Sequence, residues 1–363
     1  MARRLQSDKV LFGAVVGLVL FGALMVFSAS AVMAADRYNN ADYFLIRQVA
    51  WAIAGLLAVA VLMHMDYRRL ASPLVVFPAL ALEFLLLVAV LLVDRSHNTH
   101  RWFHLGMVSF QPSELAKIVL TLFLAYFLDL RKGQMTDWKH TLTPIALVSG
   151  IMALLVLREP DLGTTLALGL ILSAMLFSVG LDLRYFAFAA MGALPVLYWL
   201  IFHSNYRHNR ILAFWNPYAD PLGKGFQILQ SYIAVGTGGI TGVGLMEGKQ
   251  KLFFLPEPQT DFIFAVVGEE LGLIGSIAVV AVFILILVRG LRASAACKDD
   301  FGRLLAIGLT VMIVGQALVN MSVVLGLLPT KGIPLPFVSY GGSSLLVNLV
   351  AVGILLNISQ QAS

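Results

Sequence analysis

Charge is what this chain lacks. Of its 363 residues only 12% are Asp, Glu, Lys or Arg, against about 25% in a soluble domain, so an ordinary water-soluble fold is excluded. A single cysteine, Cys297, excludes an internal disulfide and a cysteine-built metal cluster. Neither the P-loop nor the dinucleotide-binding fingerprint occurs. We find no internal repeat, low-complexity tract or linker. The net charge of +5 is scattered between apolar runs and forms no basic patch, which argues against a nucleic-acid partner.

What the chain has in abundance is hydrophobic length. With 59% hydrophobic residues and a mean hydropathy of +0.87, apolar runs of about 18 residues or more recur from end to end, each able to span ~30 Å of hydrocarbon as a helix. The expected fold is therefore an all-α integral membrane protein, a bundle of about ten transmembrane helices. Its expected spans are 10–34, 45–64, 73–93, 112–130, 141–158, 162–180, 185–203, 262–288, 303–327 and 340–358. Residues 1–363 read as one polytopic membrane domain. Val32-Met-Ala34 resembles a signal-peptidase site, but the apolar stretch before it, 10–27, exceeds the ~7–15 residues of a secretory core. It is expected to be retained as the first span.

With the amino terminus inside, Arg68, Arg69, Arg131, Lys132, Lys139, Arg184, Arg289, Arg292, Lys298 and Arg303 all fall in cytoplasmic segments, as the positive-inside rule asks. Both termini and Cys297 are then cytoplasmic. Two outer segments remain: 94–111, and an extracytoplasmic loop at 204–260 between spans 7 and 8. Loops of that length tend to be functional.

At the end of this loop Asp261 stands between Pro256 and Pro258 and a long apolar run, so a carboxylate sits where a polar segment enters the bilayer. A charge at such depth is a functional-site hypothesis by default; the plainer alternative is a helix cap. Helical spacing would align Ala265, Gly268, Gly272 and Gly275 with Asp261 as a stripe open to close helix approach. Glu269 would lie ~12 Å further along the axis, which makes Glu269 and Glu270 structural partners and not a second catalytic acid.

Other charges are weighed the same way. Glu114 and Lys117, three residues apart, can pair on one helical face, either as packing or as part of an ion path. Arg158, Glu159 and Asp161 flank Pro160 at an outer hairpin, where charges are usually solvated, the alternative being that they face a shared cavity. Glu83 is isolated in the third span and is expected to find a local partner, as is His64. The glycines at 236–244 read as tight turns or as an amide cradle for phosphate. His97, His100 and His104 would gather a metal only if their stretch were helical.

Several ordered motifs resemble the SEDS family (shape, elongation, division and sporulation) over essentially the whole chain. They are Arg101-Trp102, Gln111-Pro-Ser-Glu-Leu-Ala-Lys117, Glu159-Pro-Asp-Leu-Gly163, Asn216-Pro217 with Asp220-Pro221, Thr260-Asp-Phe-Ile-Phe-Ala265 and Ser339-Tyr-Gly-Gly-Ser-Ser344. The resemblance implies a peptidoglycan glycosyltransferase polymerising lipid II outside the bacterial cytoplasmic membrane. It implies a class B penicillin-binding protein and other divisome proteins as partners. It places the essential acid at Asp261 and gives supporting roles to Glu114, Lys117, Asp161 and Arg210. Phe214-Trp-Asn-Pro217 and Leu328-Pro-Thr-Lys-Gly332 favour a division role at the septum, whereas Ile333-Pro-Leu-Pro-Phe337 is similar to elongation members.

A polyprenyl diphosphate leaves without needing a proton, so one base and some positive charge suffice for an inverting displacement. Asp261 is the expected base. Arg210, with Arg101 and Lys331 beside it, would hold the diphosphate, and Trp102 would stack on a sugar or anchor the interface. A divalent cation (Mg or Mn) would assist, although no metal-ligand cluster is visible in the sequence. A lipid II flippase is the competing class.

Overall fold

The computed structural model describes residues 8–94, 100–105 and 108–362. Within them the chain forms twelve α-helices and one short hairpin. In chain order the first helices are α1 (Lys9–Tyr38), α2 (Tyr43–His64) and α3 (Pro73–Val93), followed by strands β1 (Phe103–Leu105) and β2 (Val108–Phe110). Then come α4 (Pro112–Leu130), α5 (Thr143–Arg158), α6 (Leu162–Ser178), α7 (Leu183–Phe202), α8 (Asn205–Trp215) and α9 (Phe226–Gly238). The last three are α10 (Ile263–Ala296), α11 (Asp300–Val324) and α12 (Gly342–Ala362).

Each expected apolar run falls on a helix. Seven helical segments are long and apolar enough to cross a membrane: α1, α2, α3, Trp138–Arg158, α10, α11 and Gly342–Gln361. The shorter apolar helices include Leu162–Ser178 and Leu183–Val196. The protein is a multi-pass membrane protein. The loop expected at 204–260 is largely structured, holding α8 and α9.

Helix starts follow capping chemistry. Asp8 accepts from the amides of Val10 (3.1 Å) and Leu11 (2.9 Å), Asp299 from Gly302 (2.8 Å) and Asp161 from Thr164 (3.0 Å). Each such cap contributes about 1 kcal/mol. Pro73 and Pro112 open α3 and α4, where no amide donor is needed.

One contiguous core runs from Leu11 to Ile358, with α11 and α12 the most enclosed of the apolar helices. α11 packs on α4, α6 and α10, and α12 on α2. No described side chain of α7 is buried, and this helix rests chiefly on α8.

The basic segments assigned to the inner face collect at one end of the bundle. Arg289 pairs with Asp8 at 2.6 Å, Arg303 with Asp300 at 2.8 Å, and Lys132 also meets Asp300.

α10 is where the sequence reading needs correction. Gly272 has φ 64° and ψ −158°, a conformation essentially confined to glycine, and it breaks the helix. The stripe extrapolated through Gly275 as one helix is therefore interrupted at Gly272. The glycine loop after α9 crosses the break and satisfies it. The amides of Val243 and Gly244 donate to the carbonyls of Glu269 (3.0 Å) and Glu270 (3.1 Å), while those of Leu273 and Ile274 donate to Gly239 (2.9 Å) and Ile240 (3.2 Å). Irregular backbone at membrane depth survives only with such partners. The amides of Val243 and Gly244 are thus committed to α10 and do not cradle phosphate.

Candidate functional site

Asp261 precedes α10 and does not cap it: Phe262 occupies the cap position, without a side-chain bond. The backbone around the acid is held from three directions. Asn320 of α11 donates to the Asp261 carbonyl at 2.9 Å and to that of Ile333 at 2.7 Å. Ser339 Oγ donates to the Thr260 carbonyl, and the Tyr340 amide to that of Gln259 at 2.8 Å. The carboxyl itself accepts no hydrogen bond from a described residue.

It opens into a cavity of about 400 Å³. Its lining brings together Arg101, Trp102, His104, Ser109, Gln111 and Asp161, then Arg47 and Trp51 of α2, then Gly332, Pro334 and Tyr340 of the segment before α12, and Ser344 in its first turn. A side chain at Gly332 would come within 3.2 Å of the Asp261 carboxyl, so glycine keeps that approach clear. Burial pushes Asp261 up to about 7, with the Arg210 charge opposing the rise and Glu257 and Asp161 reinforcing it. A base poised near neutrality is what proton abstraction at physiological pH requires.

The predicted site residues separate into groups. Asp261, Arg101, Trp102 and Asp161 share the cavity. Arg101 is fixed by donating from Nε to the Glu159 carbonyl at 2.7 Å and from the guanidinium to that of Pro160. Arg210 lies outside the cavity lining but close enough to act on the acid; it donates to the Thr330 carbonyl at 3.0 Å. Lys331 is also outside the lining, partly buried beside the same turn.

Glu114 and Lys117 form a buried ion pair at 2.9 Å, and Lys117 also donates to Gln316 at 2.6 Å. They line a chamber of about 20 Å³ that shares Gln111, Asp161, Gly332 and Pro334 with the large cavity. A volume of that size admits about one water.

Two expectations about acids change. Asp161 and Glu159 are not solvated rim charges; Asp161 faces the shared cavity, as the alternative had it. Asp161 is buried, accepting from Gln111 at 3.0 Å and the Thr164 hydroxyl at 2.8 Å. Glu159 is fully enclosed; burial first, then Asp161, pushes it up to about 9, with the Ser113 hydroxyl opposing the rise. Among the described residues neither oxygen of Glu83 has a hydrogen-bond partner, contrary to the local partner expected, because its helix presents one buried face of otherwise apolar residues. Glu269 and Glu270 are structural, as expected. Glu269 accepts from the Lys249 amide at 2.8 Å; Glu270 accepts from Ser28 at 2.6 Å, Lys251 at 2.5 Å and the Met246 amide at 3.0 Å.

Of the three histidines considered for metal, His97 lies outside the described residues. Among the described residues no group of three or more His, Cys, Asp or Glu could hold a metal ion. Arg47, Trp51, Gln316 and Asn320 were missed by the sequence reading. The available signal was Arg47 alone, a cation in an apolar helix.

With this geometry in view, the comparisons identify the class. The sequence model of the FtsW, RodA and SpoVE family, described as cell cycle protein, matches residues 8–363, and the chain belongs to this family. It is 45% identical to a probable peptidoglycan glycosyltransferase FtsW of Geobacter sulfurreducens, covering 98% of this chain and 95% of that protein. It is 40% identical to the stage V sporulation protein E of Bacillus subtilis over 99% and 98%. Among solved structures, it matches a chain of a peptidoglycan synthase complex that coordinates polymerization and crosslinking, with a TM-score of 0.80, 32% identity and 98% of each chain covered. The rod shape determining protein RodA of Thermus thermophilus matches with a TM-score of 0.72 and 28% identity, over 99% of this chain and 98% of that one.

Proposed function

We propose that this chain is a peptidoglycan glycosyltransferase that polymerises lipid II on the outer face of the cytoplasmic membrane, with Asp261 as its base. The observation that carries the reading is a carboxyl without hydrogen-bond partners among the described residues, in a cavity it shares with Arg101. In this scheme the Asp261 carboxylate takes the proton of the acceptor sugar hydroxyl as that oxygen attacks the anomeric carbon of the donor. The bond from that carbon to the diphosphate oxygen breaks, and the diphosphate departs with the electron pair, inverting the centre. Arg101 and Arg210 stabilise the charge that develops on it. Trp102 presents an aromatic face for a sugar. Asp161 holds Gln111 and caps α6, so it shapes the wall instead of transferring protons.

The described side chains do not form a cage for a divalent cation such as Mg or Mn, so a diphosphate-bound ion would bring most of its ligands itself. No step here depends on one. We place ten helices across the bilayer with both termini cytoplasmic, and the cavity at the external side. The FtsW relatives favour a septal division role beside a class B penicillin-binding protein and other divisome proteins over elongation.

A lipid II flippase is the second reading, and the break in α10 favours it, since discontinuous helices mark transporter sites. Here, however, Glu269 and Glu270 beside the break are already bonded by protein groups. The test supplies lipid II to the protein purified with its penicillin-binding partner. Glycan polymer is expected from wild type and is lost in Asp261→Asn and Asp261→Ala. Normal polymer from both variants removes Asp261 as base. Movement of labelled lipid II between leaflets without polymer selects the flippase.

A further inference from the structure

We infer that Arg47, braced by Tyr43 and Tyr340 on the α2 wall of the cavity, binds a second lipid diphosphate, the one the acceptor keeps. The inference rests on the polymerase reading. Both reactants of that chemistry are lipid-linked: the donor loses its diphosphate, while the acceptor retains its own throughout. One cationic pole therefore cannot serve the site.

Arg101 and Arg210 belong to segments joined to the α4 and α8 side. Arg47 lines the same cavity from a different element, α2. Among the described residues it has no carboxylate partner, and it is not left floppy. Its guanidinium lies 4.4 Å from the centre of the Tyr43 ring, a cation–π contact, and its charge acts on the Tyr340 phenol. Tyr340 is itself fixed by its backbone N–H, which donates to the Gln259 carbonyl, and by its edge-to-face contact with Phe44, 4.8 Å away between ring centres. The guanidinium also meets the Tyr340 hydroxyl, and an arginine so held keeps further N–H donors for the forked recognition of phosphate oxygens.

The surroundings also fit a lipid. Arg47 lies in the first turns of α2, and the face of that helix turned from the bundle exposes Ile46, Ile53, Leu57 and Val61. A polyprenyl tail could lie along that face while the diphosphate meets Arg47 and the sugars extend toward Asp261. Trp51, one turn further along α2, fills the space left by the absent side chain at Gly342 and closes the cavity below.

The experiment compares wild type, Arg47→Gln and Arg47→Lys, each with the penicillin-binding partner. A labelled glycan oligomer on polyprenyl diphosphate is the donor. The acceptor is either lipid II or the same disaccharide-peptide on a simple alkyl chain without diphosphate. The expected result is a rise of about 10- to 100-fold in the KM for lipid II in Arg47→Gln, the size of a lost charge-assisted contact. The alkyl acceptor and the donor KM should be unchanged, with partial recovery in Arg47→Lys. Polyprenyl diphosphate should compete with lipid II in wild type and far less in Arg47→Gln; competition by inorganic diphosphate of equal strength would assign the pole to free diphosphate. Equal loss with both acceptors, a raised donor KM, or no change overturns the inference. An unaltered melting temperature of Arg47→Gln in detergent separates these outcomes from misfolding. If wild type makes no polymer from lipid II, the polymerase reading falls and this one with it; if wild type is active, the outcomes for Arg47 stand alone.

Discussion

Within ten residues of α10 and its approach, the chain carries acids that their surroundings treat in opposite ways. Around the break, Glu269 and Glu270 receive backbone amides, a serine and Lys251, and the loop that crosses the helix exchanges four backbone hydrogen bonds with it. Around Asp261 the backbone is held just as firmly, but among the described residues the carboxyl has no hydrogen-bond partner. A saturated polar network fixes shape; a titratable group held in place and left without a partner is available for chemistry. The contrast separates scaffold from reagent without appeal to which residue types are present.

The sharpest way to break it is Asp261→Asn, which keeps shape and removes basicity. We expect a loss of about 10²- to 10⁴-fold in polymerisation rate with an unchanged melting temperature. A destabilised variant would move Asp261 to the scaffold side. At the break the pattern should reverse: Lys251→Met strips Glu270 of its cation and should cost about 3–5 kcal/mol of stability, the usual consequence of leaving one buried charge alone. Denaturation in mixed micelles reads this, and any activity surviving per folded molecule should be near normal.

A third measurement follows the acid itself. Asp261 titrates near 7 and must be ionised to act, so the rate should fall about tenfold per pH unit below that value and level off above it. An acid limb centred near 4 would mean that the cavity does not desolvate the group.

The smallest effect, read over two pH units, concerns Glu159. Its folded value, about 9, lies above its ordinary one, so the stability it contributes is full below about 4.5 and is lost as pH rises through about 9. Glu159→Gln should remove a decline of up to roughly 1.4 kcal/mol per pH unit between those limits. It should be read from melting curves at pH 6 and 8, where wild type and variant diverge.

Much of this was legible before any coordinates. Spans came from apolar runs because a bilayer imposes length and hydrophobicity residue by residue. Asp261 stood out because a carboxylate is costly where it sits, and the structural part of Glu269 and Glu270 followed from helical rise. The break at Gly272 was invisible, since hydropathy stays high across it and the loop that satisfies it lies about thirty residues earlier. Arg47 and Asn320 were missed for a related reason. Their importance comes from segments far along the chain that meet only in three dimensions. Glu159 looked solvated because its neighbours are proline and charge, while the enclosing atoms come from other helices.

The closing of the cavity by α12 bears on how the protein is made. Gln48 of α2 reaches the Ser339 carbonyl at 3.2 Å, and Asn357 accepts from the Tyr67 amide at 3.0 Å while donating to Leu62 and Met63. One wall thus unites α2 with segments translated almost three hundred positions later. While the nascent chain is still emerging from the ribosome, Asp261 can already be threaded into the bilayer, yet it has no chamber to work in until the final helix docks. Activity is thereby withheld from every unfinished copy.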